Sequence, residues 1–365
     1  MTLRKKIHRA FSLLDFLLTP GSDIEVFGMF GQGNLGDEAM LVAARQHIQA
    51  RRMVPCQTLQ HRTILRSMIH RRKRPHLLVG GGTLIHGGDT GWLDYIDLRR
   101  QQNTEVSFFG TGVAFEEEQM TEEAETYRRW RDIMKRTNNI YLRGPHSAAT
   151  CARMGVEADV FGDFAFLLHR DGFAVTDHGA RSAEIGLNVG LMNLGQYSGD
   201  QDAYEEATAA VVKTLASDHP LVFHVVVNTD VQSTIRIISR AGIAASTYRI
   251  EHHYYDPNAF MESVRAHRAF IGLKFHAAGI AMVAGVPSLM IAYQPKAFDF
   301  MAPLGDCSHM ILDLPLDPST VEERIAEMLE RPDDFTVATE IGQVAIRQRE
   351  VLGRIYGDAP LRASE

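Results

Sequence analysis

Lys274, His276 and Lys296 place two ammonium groups and an imidazole at the ends of one short stretch of chain, a set of groups suited to holding an anion. The segment runs Phe270-Ile-Gly-Leu-Lys-Phe-His-Ala-Ala-Gly-Ile-Ala-Met-Val-Ala-Gly-Val-Pro-Ser-Leu-Met-Ile-Ala-Tyr-Gln-Pro-Lys296 and reads as strand, helix, strand. Gly285 suits the position just past a helix C-terminus and Pro287 stops the helix. Lys274 and His276 therefore fall where the first strand meets the helix N-terminus, and Lys296 just beyond the carboxyl end of the next strand. Carboxyl ends of parallel neighbours share one edge, about 5 Å apart, so the cations converge, and a helix N-terminus itself attracts anions. The expected ligand is a small, multiply charged acid or phosphate, with His276 holding or passing a proton. The competing reading makes His276 a satisfied core histidine and the lysines surface charges.

A second chemical signal is Gly31-Gln-Gly33-Asn-Leu-Gly36, a formal GxGxxG between an apolar run and a helix beginning near Asp37. A dinucleotide site also needs an acidic residue about 20 positions on for the ribose, and none occurs between Glu38 and Asp89; an NADP site could use an arginine instead. Asp37 and Glu38 moreover occupy the positive end of the helix dipole that a pyrophosphate would use. The loop suits a neutral, hydroxyl-rich ligand better. Asn34 and Asp37 offer acceptors for sugar hydroxyls and Asp37 a general base, against the alternative that Asp37 only caps the helix. His252-His253 with Asp256 suggests a metal site, but adjacent residues of a strand point to opposite faces. Asp256-Pro257 fits an N-cap followed by proline at the first position of a helix Asn258 to His267. No metal and no cofactor are expected.

The elements that must carry these groups are legible as short apolar runs, each ending at glycine or a polar cluster and followed by a helical pattern, as buried parallel strands do. In the first half they are Ile24-Glu-Val-Phe, His76-Leu-Leu-Val, Val106-Ser-Phe-Phe and Asn139-Ile-Tyr-Leu. In the second they are Ile185-Gly-Leu-Asn-Val, Leu221-Val-Phe-His-Val-Val-Val227, Ala269-Phe-Ile-Gly-Leu273 and Ser288-Leu-Met-Ile-Ala-Tyr293, with helices such as Asp202 to Ala216 and Ala277 to Ala284 between them. The polar segment Arg170 to Glu184 marks a boundary. The expected class is α/β, two doubly wound Rossmann-like domains (21–178 and 179–335) facing across a cleft, with ligands outside the carboxyl ends of the strands. A basic amphipathic helix (1–20) precedes them and a C-terminal helix (336–365) follows.

Composition narrows the class further. The 365 residues are 45% hydrophobic and 23% charged, without low-complexity tracts, which excludes disordered and fibrous chains. Cys56, Cys151 and Cys307 are too scattered for a disulfide framework or a metal clamp. No apolar run approaches the roughly 20 residues that span a bilayer, and the apolar stretch Phe11 to Leu18 contains Asp15 and lacks a cleavage site. Residues 1–76 hold 13 Lys+Arg against 5 Asp+Glu, although the whole chain is at −7. The run Arg62, Arg66, Arg71, Arg72, Lys73, Arg74 reads as a solvated helix face or a patch meeting anionic lipid or glycan. A cytoplasmic protein with peripheral contact at the inner face of the membrane is expected, and a nucleic-acid partner is not.

Five motifs, in order, give the sequence a family resemblance: Gly-x-Gly-Asn-Leu-Gly-Asp-Glu-Ala at 31–39, Gly-Gly-Gly-Thr-Leu at 80–84, Leu-Arg-Gly-Pro-His-Ser at 142–147, Gly-Asp-Phe-Ala-Phe-Leu-Leu at 162–168, and the 270–296 segment. The set resembles the polysaccharide pyruvyl transferases. That resemblance implies a fold similar to the GT-B glycosyltransferases and transfer of pyruvate from phosphoenolpyruvate onto a sugar diol of a polysaccharide or its lipid-linked precursor, as a ketal. It also implies that Arg143, His276 and Lys296 hold the donor, with Lys274 where the family usually has arginine. Lysine cannot make arginine's bidentate fork to a carboxylate. His276 and Asp37 become the expected catalytic residues, and Gly31, Gly33, Asn34, Asp37, Gly81 and Gly82 the acceptor-side loops. A nucleotide-sugar glycosyltransferase of GT-B type would use the same cationic turn, and a noncatalytic subunit of a glycan-assembly complex is a third reading. Asp163 and Phe164 either line the cleft or form a strand-end turn.

Overall fold

The computed structural model describes residues 24–48, 53–57, 76–88, 91–115, 119–170, 181–192 and 200–357. The expected N-terminal helix, the basic run at 62–74 and residues 171–180 lie outside them. The chain divides into two compact units: Met1–Gln32, Asp37–Leu167 and Ile346–Glu365 form one, Gly33–Gly36 and Leu168–Ala345 the other.

The first unit holds strands β1 (Ile24–Gly28), β2 (Met53–Gln57), β3 (His76–Gly80), β4 (Ile85–His86), β5 (Glu105–Thr111), β6 (Val113–Ala114), β7 (Asn139–Leu142) and β8 (Asp159–Val160). Its helices are α1 (Leu35–His47), α2 (Gly91–Gln101), α3 (Glu125–Met134) and α4 (Pro145–Arg153), the first two residues of α1 being counted with the second unit. Six strands form one parallel sheet in the order β2-β1-β3-β5-β7-β8, and β4 pairs with β6 separately. Leu77, Leu78 and Val79 are all buried, because helices cover both faces of such a sheet. In α3, Tyr127, Trp130, Ile133 and Met134 recur at helical spacing and turn into the core, where Trp130 meets Phe108 edge-on at 6.2 Å. Pro55 sits in β2, at the edge of the sheet, where its missing N–H costs no ladder bond.

The second unit alternates β9 (Ile185–Asn188), α5 (Gln201–Asp218), β10 (Leu221–Val225), α6 (Val231–Ala241), β11 (Tyr248–His252), α7 (Pro257–Val264), β12 (Ala269–Gly272), α8 (Phe275–Val283), β13 (Ser288–Ala292), α9 (Pro295–Met301), β14 (Ile311–Asp313), α10 (Pro318–Glu330) and α11 (Ala338–Tyr356). The strands are parallel in the order β11-β10-β9-β12-β13-β14, which counted from β9 is 3-2-1-4-5-6, the Rossmann order. Aspartates start the helices: Asp200 accepts from the amides of Asp202 and Ala203 (2.9 and 3.1 Å), and Asp256 from Ala259 (3.0 Å), with Pro257 at the first helical position as its sequence predicts. Every residue of α8 is buried, which explains why it is apolar on all sides. α11 begins in the second unit and ends in the first, where Gln348 donates to the carbonyls of Phe161 and Asp163, both at 2.9 Å. Asp163 is fully buried and caps the 3₁₀ turn Phe164–Leu168 by accepting from the Ala165 amide (2.9 Å), so it forms the strand-end turn.

Candidate active site

In a doubly wound sheet, ligands bind where the strand order reverses. In the second unit the reversal falls between β9 and β12, and the Lys274–His276 turn leaves β12 at that point. Lys274 is the N-cap residue of α8, with extended backbone (φ −78°, ψ 118°), and its amide donates to Asn188 Oδ1 at the end of β9 (2.9 Å). Phe275 and His276 follow in the first turn of α8, their rings 3.9 Å apart, and Phe300 lies 6.2 Å from His276. His276 is only 6% exposed. Lys296, in α9 after β13, brings its ammonium 5.5 Å from the centre of the Phe275 ring and 5.7 Å from that of Tyr293.

Lys274 also approaches Tyr293, at 5.5 Å, so both ammonium groups reach one ring. Its charge, however, is matched from within. Nζ donates to the Leu191 carbonyl (2.5 Å) and stands 3.3 Å from Asp230 Oδ1, a carboxylate with no exposure that also accepts from the Leu191 amide (3.2 Å). Lys274 thus ties the loop after β9 to the N-terminus of α6. Burial pushes the Asp230 carboxyl up, opposed by Lys274, and burial followed by the Asp230 charge pushes the Tyr293 phenol up.

The glycine loop is split between the units. Gly33–Gly36 belongs to the second, where the Leu35 amide donates to Val226 O (3.1 Å) and Asn34 bridges Val227. Gly33, at φ +75°, lies against Tyr254 and Tyr255. Gly36 lies against His276 so closely that a Cβ there would be 1.8 Å from Nδ1. Asn34, not Asp37, caps α1, accepting from the Gly36 amide at 3.2 Å. The helix begins two residues before the expected start, which puts Asp37 inside its first turn and commits Asn34 Oδ1 to the backbone.

The other expected residues lie in the first unit, whose strand order reverses between β1 and β3, where both glycine-rich segments emerge. Asp37 Oδ1 lies 3.6 Å from where a Cβ on Gly82 would stand. Arg143, 1% exposed, donates to Thr83 Oγ1 (3.2 Å) from the same loop, and its Nη2 would be 2.3 Å from a Cβ on Gly112. Gly31 and Gly81 turn through φ +70° and +89°, the left-handed region that glycine enters freely. Gly31 donates its amide to Glu38 Oε1 (2.5 Å).

Glu38, Asp230 and Tyr293 are the residues that sequence reasoning missed. Burial, with the neighbouring Asp37 charge adding to it and the Gly31 bond opposing it, raises the Glu38 carboxyl to about 8. Adjacent carboxylates at a buried helix start were the signal available for Glu38; for Asp230 and Tyr293, distant in sequence from Lys274, there was none.

A family model described as polysaccharide pyruvyl transferase matches residues 34–295. Among solved structures, a UDP-N-acetylglucosamine 2-epimerase superposes with a TM-score of 0.55 at 14% identity, over 93% of this chain and 97% of that one. Methanocaldococcus jannaschii UDP-GlcNAc 2-epimerase, in complex with UDP-GlcNAc and UDP, gives 0.53 at 10% identity over 91% and 99%, and S. aureus MnaA with UDP gives 0.54 at 11% over 91% and 96%. These are likenesses of fold, and the fold is α/β with Rossmann-like units of the GT-B kind. No curated protein matches the sequence.

Proposed function

This chain belongs to the polysaccharide pyruvyl transferase family, and from that premise we propose that it transfers pyruvate from phosphoenolpyruvate to two hydroxyls of a sugar in a polysaccharide or its lipid-linked precursor. The methylene carbon of the donor gains a proton, the neighbouring carbon forms bonds to two acceptor oxygens, and inorganic phosphate departs with the bridging oxygen. The balance closes without a metal or cofactor in the chemical step. The observation that most supports the reading is the packing of Gly36 against His276 in the second unit, which brings a family glycine loop onto the cationic turn at the switch point.

In this reading His276 donates the proton or stabilises the departing phosphate, and Lys296, half-buried beside it, meets donor anionic charge. Lys274, already paired with Asp230, holds the turn and adds positive potential to it. Within the first unit, the family motifs support Arg143 as a donor-binding residue and Asp37, beside the Gly81-Gly82 loop, as base or hydroxyl acceptor for the sugar. Nucleotide-sugar transfer is the second reading, favoured by the fold's likeness to UDP-sugar enzymes.

The test is phosphate release from phosphoenolpyruvate in the presence of sugar acceptors, with the ketal methyl group followed by NMR. His276→Ala should lower the rate by about 100-fold or more, and Arg143→Ala should raise the donor concentration needed. Consumption of a nucleoside-diphosphate sugar, with no phosphoenolpyruvate turnover for any acceptor, would put the second reading first.

A further inference from the structure

We propose that the second unit carries a binding site for one divalent transition-metal ion, with zinc the best chemical match, formed by His224 Nδ1, Glu251 Oε2 and His253 Nε2. Their ligand atoms lie within 4.8 Å of one another. His224 on β10 and Glu251 on β11 are register partners in parallel strands, so their side chains leave the sheet on one face, and His253, two residues past Glu251, shares it. Glu251 Oε2 is 3.1 Å from His253 Nε2 and 3.8 Å from His224 Nδ1. Tetrahedral zinc with bonds of 2.0–2.1 Å holds its ligands about 3.3 Å apart, so the set needs only small rotations to close on the ion.

A proton count points the same way. His224 Nε2 and His267 Nε2 are 2.7 Å apart, and one of them carries the shared proton. Both Nδ1 atoms are buried and make no hydrogen bond among the described residues; His224 Nδ1 faces Glu251 at 3.8 Å and His267 Nδ1 faces Glu184 at 3.6 Å. Two neutral imidazoles share only two protons. Whichever way the inner bond runs, one Nδ1 therefore presents a bare lone pair to a carboxylate. The array is one cation short. Arg249 is already committed, to both oxygens of Glu184 and to Glu251 Oε1 (2.8 Å), so Oε2 is left to Ser263 Oγ and to His253 Nε2, itself one of the three ligands.

An ion at the Glu251 end uses the bare Nδ1 of His224 and also engages His253. It fixes the inner proton on His224 Nε2, with His267 as acceptor and the Nδ1–H of His267 turned to Glu184, the outer-shell pattern of metal-bound histidines. Ser263 Oγ, 2.6 Å from Oε2, orients the carboxylate, and water completes the tetrahedron. The ion would pin the end of β11, one residue before Tyr254 and Tyr255 meet Gly33.

The full chain, stripped with chelator and dialysed, should take up one zinc per chain in a zinc titration followed by elemental analysis, with a rise in Tm that magnesium does not reproduce. His253→Ala and Glu251→Gln should each weaken zinc binding at least tenfold and abolish the rise, with metal-free circular dichroism unchanged for His253→Ala. Glu184→Gln should keep the stoichiometry. Substoichiometric zinc in the wild-type chain, or equal uptake by both ligand variants, overturns the assignment.

Discussion

Glu38 shows how strongly one side chain can depend on its surroundings. Its carboxyl, raised to about 8 against an ordinary 4.5, binds a proton more tightly in the folded chain than in the unfolded one. The stability this contributes is present in full below about pH 4.5 and is lost as pH rises through 8. The shift corresponds to a difference on the order of 5 kcal/mol. Glu38→Gln keeps an oxygen for the Gly31 amide and removes the titration. The variant should therefore gain stability over the wild type as pH rises from 5 to 8, with no further gain above that, as measured by urea unfolding at several pH values. Parallel curves would place the Glu38 proton elsewhere. The sequence made the positions of Lys274, His276 and Lys296 legible, because strand ends and helix starts are local signals. It could not reveal that Lys274 is neutralised by Asp230, since that pairing is made only when α6 and α8 fold onto the same sheet edge.

At the scale of elements, eight strands were legible because each is a buried apolar run. Those not legible, β2, β8, β11 and β14, lie at sheet edges, with the two-residue β4 and β6 beside them. The edge strand β11 lacks the apolar signature: it reads Tyr-Arg-Ile-Glu-His and is half-buried or exposed throughout. Sequence reasoning pairs His253 with its neighbour His252, on the opposite face of a strand, whereas its partner is Glu251, at a spacing of two. His252 instead bonds Tyr254 Oη at 2.7 Å. The 33–36 loop meets α8 closely at Gly36. Gly36→Ala would set a methyl group 1.8 Å from His276 Nδ1, and either the loop or the imidazole must move, at a cost of about 1–3 kcal/mol. Phosphate release by this variant should fall nearly as far as in His276→Ala, with Tm lowered by a few degrees; wild-type turnover would show that the contact is structural only.

At the scale of the whole molecule, α11 contributes residues to both units. Gln348, 1% exposed, satisfies the Phe161 and Asp163 carbonyls inside the first unit, and the same helix begins in the second. Gln348→Ala should cost about 1–3 kcal/mol by stranding those buried carbonyls, read as a lower urea midpoint with the secondary structure retained; an unchanged midpoint would mean that water replaces the amide. The division of the chain also has a consequence for its synthesis. Leu35 leaves the ribosome long before Val226, the residue whose carbonyl its amide bonds, and the first unit receives its helical segment from Ile346 on only after the whole of the second unit has been made. Domains generally fold amino-terminal first as they emerge, but here the amino-terminal unit is born lacking a helical segment, and the loop that precedes Asp37 waits for partners not yet made. Its maturation therefore waits on segments translated after it.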